Sequence, residues 1–314
     1  MTDLNKPKSF SEFPLVIENT AQGTNAVEWI KAQRHSLLAQ VECHGAVLLR
    51  GFNLTTDQDF DAAVSALDVP AFTYAESLSN AVRKNRTEKV FTANEAPPDI
   101  EIYLHHEMAQ TPRYPSKLFF FCEQAPDEGG ATPLCRSDLL LSEMKQELPV
   151  FVSQCEAKGV RYTNVMPEVA DAQSGQGRSW KSTLNCDNQS QAEGRLQELG
   201  YQWQWLEDGS LKATTPVLPA IKALESGTEV FFNQLIAAFM GWKDKRNQQN
   251  KVVCFGDGSE ITDLDMKHVA DLAELFTFDL RWQTGDMALV DNFLVMHGRR
   301  PFSGERKVLA SLAA

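Results

Sequence analysis

The sequence is short of several features that would assign it quickly, and each absence removes a class. Its six cysteines, at 43, 122, 135, 155, 186 and 254, include no CxxC pair. A zinc knuckle is therefore not expected, and the scatter suits reduced thiols. No apolar run reaches the length of a bilayer span; LFFFC at 118–122 is among the longest. Basic residues are in deficit, with 30 Lys and Arg against 42 Asp and Glu, a formal charge of -12. That balance argues against nucleic acid or an anionic membrane surface as a partner. The opening MTDLNKPKSF has no apolar stretch of the kind a secretory leader carries. The expected setting is a cytoplasmic one. No internal repeat or low-complexity tract stands out.

What is present is ordinary globular material. The chain has 314 residues, of which 43% are apolar and 23% charged, enough for a sizeable core. No linker is visible, so one domain over 1–314 is expected, with 1–23 an irregular lead-in. Val27, Ile30, Leu37, Leu38 and Val41 recur at helical spacing up to Gly45. AVLLRGF (46–52) and KLFFFCE (117–123) read as strands by apolar and aromatic density. Capping boxes are expected at Thr55/Gln58 and Ser190/Glu193, a cap at Ser137, and a helix start at Thr262/Asp265. Asp208-Gly209 marks a hairpin turn in which Tyr201, Trp203 and Trp205 share a face. FDLRWQ, DMALVD, FLVMHG and KVLASLA follow as strands to the C-terminus. Strands thus flank an irregular and helical middle, without βαβ alternation. The reading is mainly β with α: a closed or sandwiched β-core with helices outside.

YLHHEMAQ (103–110) carries the chemistry. A zinc-protease helix, HExxH, needs a second histidine four positions after the first. Aligned on His106-Glu107, that position is Gln110, so the protease reading fails. In a strand, residues i and i+2 share a face. His105 and Glu107 would then converge while His106 points away. Two such ligands and one distant histidine make a 2-His-1-carboxylate site with open positions for Fe(II) chemistry. There are six histidines (35, 44, 105, 106, 268 and 297); His297 lies at the end of the strand-like VDNFLVMHG beside a basic loop, and His35 and His268 fall in helical segments.

Further residues complete a recognisable set: GGATP (129–133) containing Thr132, Asp291-Asn292 before His297, and Arg306 nine positions after it. From about residue 45 onward the chain resembles the Fe(II)/2-oxoglutarate-dependent dioxygenases of the taurine dioxygenase and clavaminate synthase-like family. FTANEAPPD (91–99), SWKST (179–183), GWKDKRN (241–247) and KVLASL (307–312) resemble its clavaminate-synthase-like branch, which includes the syringomycin-pathway aspartyl β-hydroxylase. The resemblance implies a double-stranded β-helix, or jelly roll, with flanking helices. It implies Fe(II) held by His105, Glu107 and His297, with 2-oxoglutarate as co-substrate and O2 consumed. Arg306 would grip the distal carboxylate of 2-oxoglutarate through a bidentate fork, and Thr132 would add a hydroxyl. Lys307 is the rival for that role; alternation puts the two on opposite faces, so only one of them can point inward. Arg83, Asn94, Glu95 and Asn233 are the substrate-binding candidates.

The expected activity is hydroxylation of an aliphatic C–H of a small molecule, with release of succinate and CO2. An amino acid or its derivative, free or tethered to a carrier protein, fits the branch. Relatives that grip anionic substrates carry a second arginine where this chain has Ala310. The presence of Glu107 separates it from related halogenases, which lack the carboxylate. The residues between Glu107 and His297 are expected to supply a lid, including GRSWKST and the EDG hairpin. Two rival readings stand beside this one: an iron-binding cupin-like sensor or lyase with no 2-oxoglutarate turnover, and a structural β-barrel module without metal.

Overall fold

A computed structural model describes residues 12–21, 23–73, 78–79, 83–93, 95–171, 177–242, 246 and 252–314. Two sheets organise the chain. The larger has six strands, in the order Leu15–Glu18, Ala46–Arg50, Met287–Asp291, Lys117–Gln124, Lys307–Ala313 and Phe91–Thr92. Only its first pair is parallel. The smaller has four strands, Thr277–Leu280, Thr132–Arg136, Val295–Arg299 and Ile102–His105, all antiparallel.

The KLFFFC run shows why the large sheet is central. Leu118, Phe120 and Cys122 face one core, shared with Leu134, Leu280 and Val295 of the small sheet. Phe119 and Phe121 face another, shared with Ile30, Leu37, Phe60 and Val64 of the outer helices. Strand alternation sends successive side chains to opposite faces. Here both faces are covered, so the run is apolar throughout, as strands buried on both sides are. Each buried phenylalanine contributes about 1.5–3 kcal/mol.

The helices that cover the outer face are Ala26–His44 and Asp57–Ala66. Asn25 caps the first through its side chain, which accepts from the backbone N–H of Glu28 at 3.2 Å. The second is capped one residue later than expected. The box is Thr56 with Asp59, not Thr55 with Gln58. Asp59 accepts from the N–H groups of both Thr55 and Thr56, and a shorter carboxylate does this better than glutamine. Thr262 caps the helix Asp263–Leu275 as expected.

Between the sheets' strands in sequence lies an insertion with its own four-stranded sheet: Val253–Phe255, Val160–Met166, Leu211–Thr214 and Gln202–Trp205. Its hairpin forms at Asp208-Gly209, and Trp203 and Trp205 pack half-buried on the helix Gln189–Glu198. Two caps differ from expectation here. Asn188, not Ser190, caps that helix, while Glu193 accepts from the Trp205 indole at 2.8 Å. Ser137 is the first residue of its helix, not the cap, and its hydroxyl donates to the Leu294 carbonyl at 3.0 Å. At Ser137 a side chain that could cap locally is claimed by a tertiary partner. Among the described residues, no helix is long and apolar enough to cross a membrane.

Candidate metal and co-substrate site

The strand Ile102–His105 ends on the first histidine of the motif. Glu107 follows in a turn, and Met108 adopts the left-handed backbone at φ 57°. Strand alternation therefore reaches only as far as His105. The position of Glu107 is set instead by Asn292. Its side chain accepts from the Glu107 N–H at 2.7 Å and donates to the Glu107 carbonyl at 3.0 Å and the Pro115 carbonyl at 2.8 Å. Asp291 beside it accepts from the N–H groups of Phe293 and Leu294, shaping the turn into the His297 strand. That strand pairs His297 directly with His105.

The result is a cluster in which one ligand atom each from His105, Glu107 and His297 lies within 4.8 Å of the others. The Nε2 atoms of His105 and His297 are 3.9 and 3.5 Å from Oε2 of Glu107. Nδ1 of His105 meets the Tyr103 carbonyl at 2.8 Å. A proton held there leaves Nε2 as a lone pair toward the cluster, the arrangement metal-ligating histidines use. Burial, reinforced by His297, lowers the His105 pKa to about 4, so the ring is neutral at physiological pH. Burial alone would raise Glu107. The Arg83 guanidinium, the His297 hydrogen bond and both imidazoles reverse this and hold its carboxyl well below the usual range. Arg83 donates to Oε1 at 2.8 Å from a nearly buried position and stacks over Phe91. Two imidazoles and one ionised carboxylate fit a divalent first-row metal.

His106 takes the opposite role. Its ring is fully buried, pairs with the Asn292 carbonyl at 2.5 Å and lies 4.8 Å from the Phe232 ring. Burial pushes its pKa down to about 3. It packs the back of the site.

The pocket in front of the cluster joins both sheets. Arg306, Val308, Ala310 and Leu312 line it at every second position, and Phe120, Thr132 and Arg299 complete its far side. Arg306 donates from Nε to the Gly130 carbonyl at 2.9 Å and from Nη2 to the Thr132 hydroxyl at 3.3 Å. Gly130 is needed there. Its φ is +64°, and a Cβ would stand 2.7 Å from Pro126 and 3.0 Å from Arg306. The Trp282 indole donates to Thr132 Oγ1 at 2.9 Å. Both contacts are accepted by the oxygen, which leaves the hydroxyl hydrogen to give. No carboxylate among the described residues pairs with Arg306. Burial, with Arg299 nearby, lowers its pKa to about 10, so it stays charged. A buried cation beside a free hydroxyl hydrogen suits one end of a dicarboxylate. Lys307 pairs with Glu305 at 2.8 Å and does not line the pocket, whereas Arg306 does.

The substrate candidates fare unequally. Arg83 lines the pocket. Glu95 is exposed and pairs with Lys84 at 2.8 Å, away from the pocket lining. Asn233 is buried with its amide spent on the Ala220 carbonyl and the Leu235 N–H, so it serves the backbone. Asn94 lies outside the described residues. The sequence reading missed Arg299 and Trp282. Arg299 lines the pocket and donates to the carbonyls of Ala96, Pro97 and Ile100. Nothing in local sequence signals either, because their partners lie about 150 to 200 positions away.

Two imidazoles, a carboxylate, a guanidinium with no carboxylate partner among the described residues and a hydroxyl around one pocket define the class: a mononuclear iron oxygenase that uses a 2-oxoacid. The comparisons agree. The model of the taurine catabolism dioxygenase TauD, TfdA family matches residues 12–312. The chain belongs to that family, and it is an Fe(II)- and 2-oxoglutarate-dependent dioxygenase acting on a small molecule with O2. It is 42% identical over 284 residues to a clavaminate synthase-like protein of Arabidopsis thaliana, covering 90% of this chain and 86% of the relative. It is 29% identical over 283 residues to the dapdiamide synthesis protein DdaC of Enterobacter agglomerans, covering 85% and 82%. Its fold is similar to that of PvcB from Pseudomonas aeruginosa, with a TM-score of 0.55 at 15% identity over 98% of this chain and 87% of that one. A taurine dioxygenase from Burkholderia xenovorans gives 0.53 at 13% identity over 98% and 88%. These structures support a mixed α/β fold of the taurine dioxygenase type.

Proposed function

We propose that the protein hydroxylates an aliphatic C–H bond of an amino acid or amino-acid derivative, free or tethered to a carrier protein, and releases succinate and CO2. The observation that carries this reading is the closeness of the three ligand atoms, within 4.8 Å, in the pocket that also holds Arg306 and Thr132. His105, Glu107 and His297 hold the iron. Bound Fe(II), with 2-oxoglutarate and O2, supplies the oxidising chemistry. The chain's own residues bind and orient. Arg306 and Thr132 take the distal carboxylate of 2-oxoglutarate. Arg83 fixes the free oxygen of Glu107 and presents the remaining guanidinium edge to an anionic group of the substrate. Asn292 keeps the Glu107 turn in register with the His297 strand. Phe120, Val308 and Leu312 keep water away from the reacting end of the pocket.

The relatives named for clavaminate synthase and dapdiamide synthesis support a small-molecule substrate. Ala310 supports a substrate not gripped in the manner of the anionic-substrate relatives. The two sheets are read as the halves of a double-stranded β-helix within one domain, and the insertion, including 177–183 and the 207–209 turn, as its lid. A cytoplasmic location is proposed from the six cysteines, which form no disulfide among the described residues.

Anaerobic addition of Fe(II) and 2-oxoglutarate should give a visible charge-transfer band that Glu107→Ala weakens. Free and carrier-bound amino acids should then be compared for stimulated succinate formation. Absence of the band, or no stimulation by either substrate class, overturns the reading.

A further inference from the structure

A second cavity lies on the other side of the metal-bearing turn. Glu107 faces the metal pocket, whereas Gln110 and Thr111, three and four residues later, line the second space. Leu78 adds to the wall, and most of the rest comes from the insertion: Met166, Thr183, Leu184 and Ala213, with the rings of Tyr162 and Trp242. Among the described residues lining it, none is charged.

Its polar groups divide into two kinds. The Thr111 hydroxyl is engaged with the carbonyls of Met108 and Arg113, and Thr215 accepts from the Tyr162 N–H. The Tyr162 hydroxyl accepts from the Gln234 N–H. By contrast, Oε1 of Gln110 and Oγ1 of Thr183 have no partner, although both residues are more than nine-tenths buried. A buried polar atom left unpaired is costly, and native proteins keep few. One side-chain carbonyl and one hydroxyl, spare on opposite elements of an apolar cavity, are the lining of a small-molecule site. Water filling this space would meet a mostly apolar wall, which holds water poorly.

We propose that this cavity binds the uncharged end of the substrate, a neutral amide on an apolar body, with Gln110 accepting its N–H and Thr183 donating to its carbonyl. The assignment rests on the oxygenase reading above for the word substrate. It also gives the insertion a function of its own. The metal pocket supplies charge for the co-substrate, and the insertion selects the neutral part. Such an amide has two sources. It belongs either to an acylated amino acid or to the pantetheine arm of a carrier protein.

Saturation-transfer NMR on the full-length, metal-free protein separates these, with N-acetyl-L-leucinamide and S-methylpantetheine as probes. At least one should bind, and the one that does identifies the source. Ala213→Phe, which fills the cavity, should weaken that probe at least about tenfold. The near-isosteric Gln110→Met and Thr183→Val should each weaken it about three- to tenfold, as loss of one hydrogen bond does. These two carry the test if Ala213→Phe does not fold, which its melting curve reveals. Failure of both amides to bind overturns the proposal, as does binding indifferent to all three substitutions. Displacement of a bound amide by an equal concentration of L-leucine overturns the neutral-ligand assignment. The charge-transfer band of the wild-type protein keeps the two readings apart. A band without amide binding removes the cavity proposal alone, and amide binding without a band removes the oxygenase reading and with it the word substrate, leaving a neutral-amide site.

Discussion

The two cavities either side of the 107–111 turn are built from opposite materials. The metal pocket is framed by strands of both sheets and lined by Arg83, Arg299 and Arg306 together with the His105–Glu107–His297 cluster. The second is framed by the insertion and has no charged lining among the described residues. Strand register holds groups to fixed separations, which a shared metal and co-substrate need. An insertion can change without disturbing that register, so it is the natural place to vary what is recognised. One pocket is thus charged and built on strand register, and the other is uncharged and built largely on the insertion.

That division can be broken or sharpened by substitution. The largest effect is expected at the cluster itself. His297→Ala should abolish the charge-transfer band and reduce succinate formation at least about 100-fold, because loss even of a residue supporting a metal ligand costs about 10–100-fold. Iron stoichiometry measured under anaerobic conditions checks it. Arg306→Ala comes next. Removing the partner of a buried charge costs about 2–5 kcal/mol, so KM for 2-oxoglutarate should rise at least about 30-fold while metal binding persists. If 2-oxoglutarate dependence is unchanged, the pocket is not the co-substrate site. Arg83→Gln should weaken iron binding about 10–100-fold by freeing Glu107 Oε1, read by titration with Fe(II) or Mn(II).

The smallest effect lies far from both cavities and serves as a control. Asp59→Asn should cost about 1 kcal/mol of stability by breaking the Thr56–Asp59 box. Burial opposes ionisation of Asp59, but hydrogen bonds from Thr55 and Thr56 hold its pKa below normal. A carboxylate with a depressed folded-state pKa stabilises above its unfolded value, about 3.9, and loses that contribution as pH falls through the folded value. The difference between wild type and Asp59→Asn should therefore be constant above about pH 5 and shrink toward pH 3. Urea melts across that range measure it, and both cavities should keep their ligands.

Much of the site was legible because its members carry rare chemistry at short range. Six histidines and one HxE left few choices, and Gly129-Gly130 with Thr132 marked the turn under Arg306. Strand alternation accounts for only half of the Glu107 placement, since the strand stops at His105 and Asn292 does the aligning. Glu95 in the polar loop before the motif and Asn233 in VFFNQL are polar side chains, and polarity does not distinguish an exposed ion pair or a backbone bond from a substrate contact. The caps at Thr55 and Ser190 missed by one or two positions because several hydroxyl and carboxamide residues compete within one turn.

The amino-acid sequence alone establishes which groups are available: the histidine pair and carboxylate, the glycine turn, the Arg306-Lys307 pair at the start of the last strand, and the apolar runs that must be buried. Those follow from side-chain chemistry and from the period of two along a strand. Only the tertiary structure decided who meets whom. The pairing of His297 with His105, the reach of Asn292 to Glu107, the indole of Trp282 on Thr132, and the neutral cavity between Gln110 and Thr183 all join segments far apart in the chain. No local pattern encodes such contacts, because they are settled by how two sheets and an insertion close on a common core.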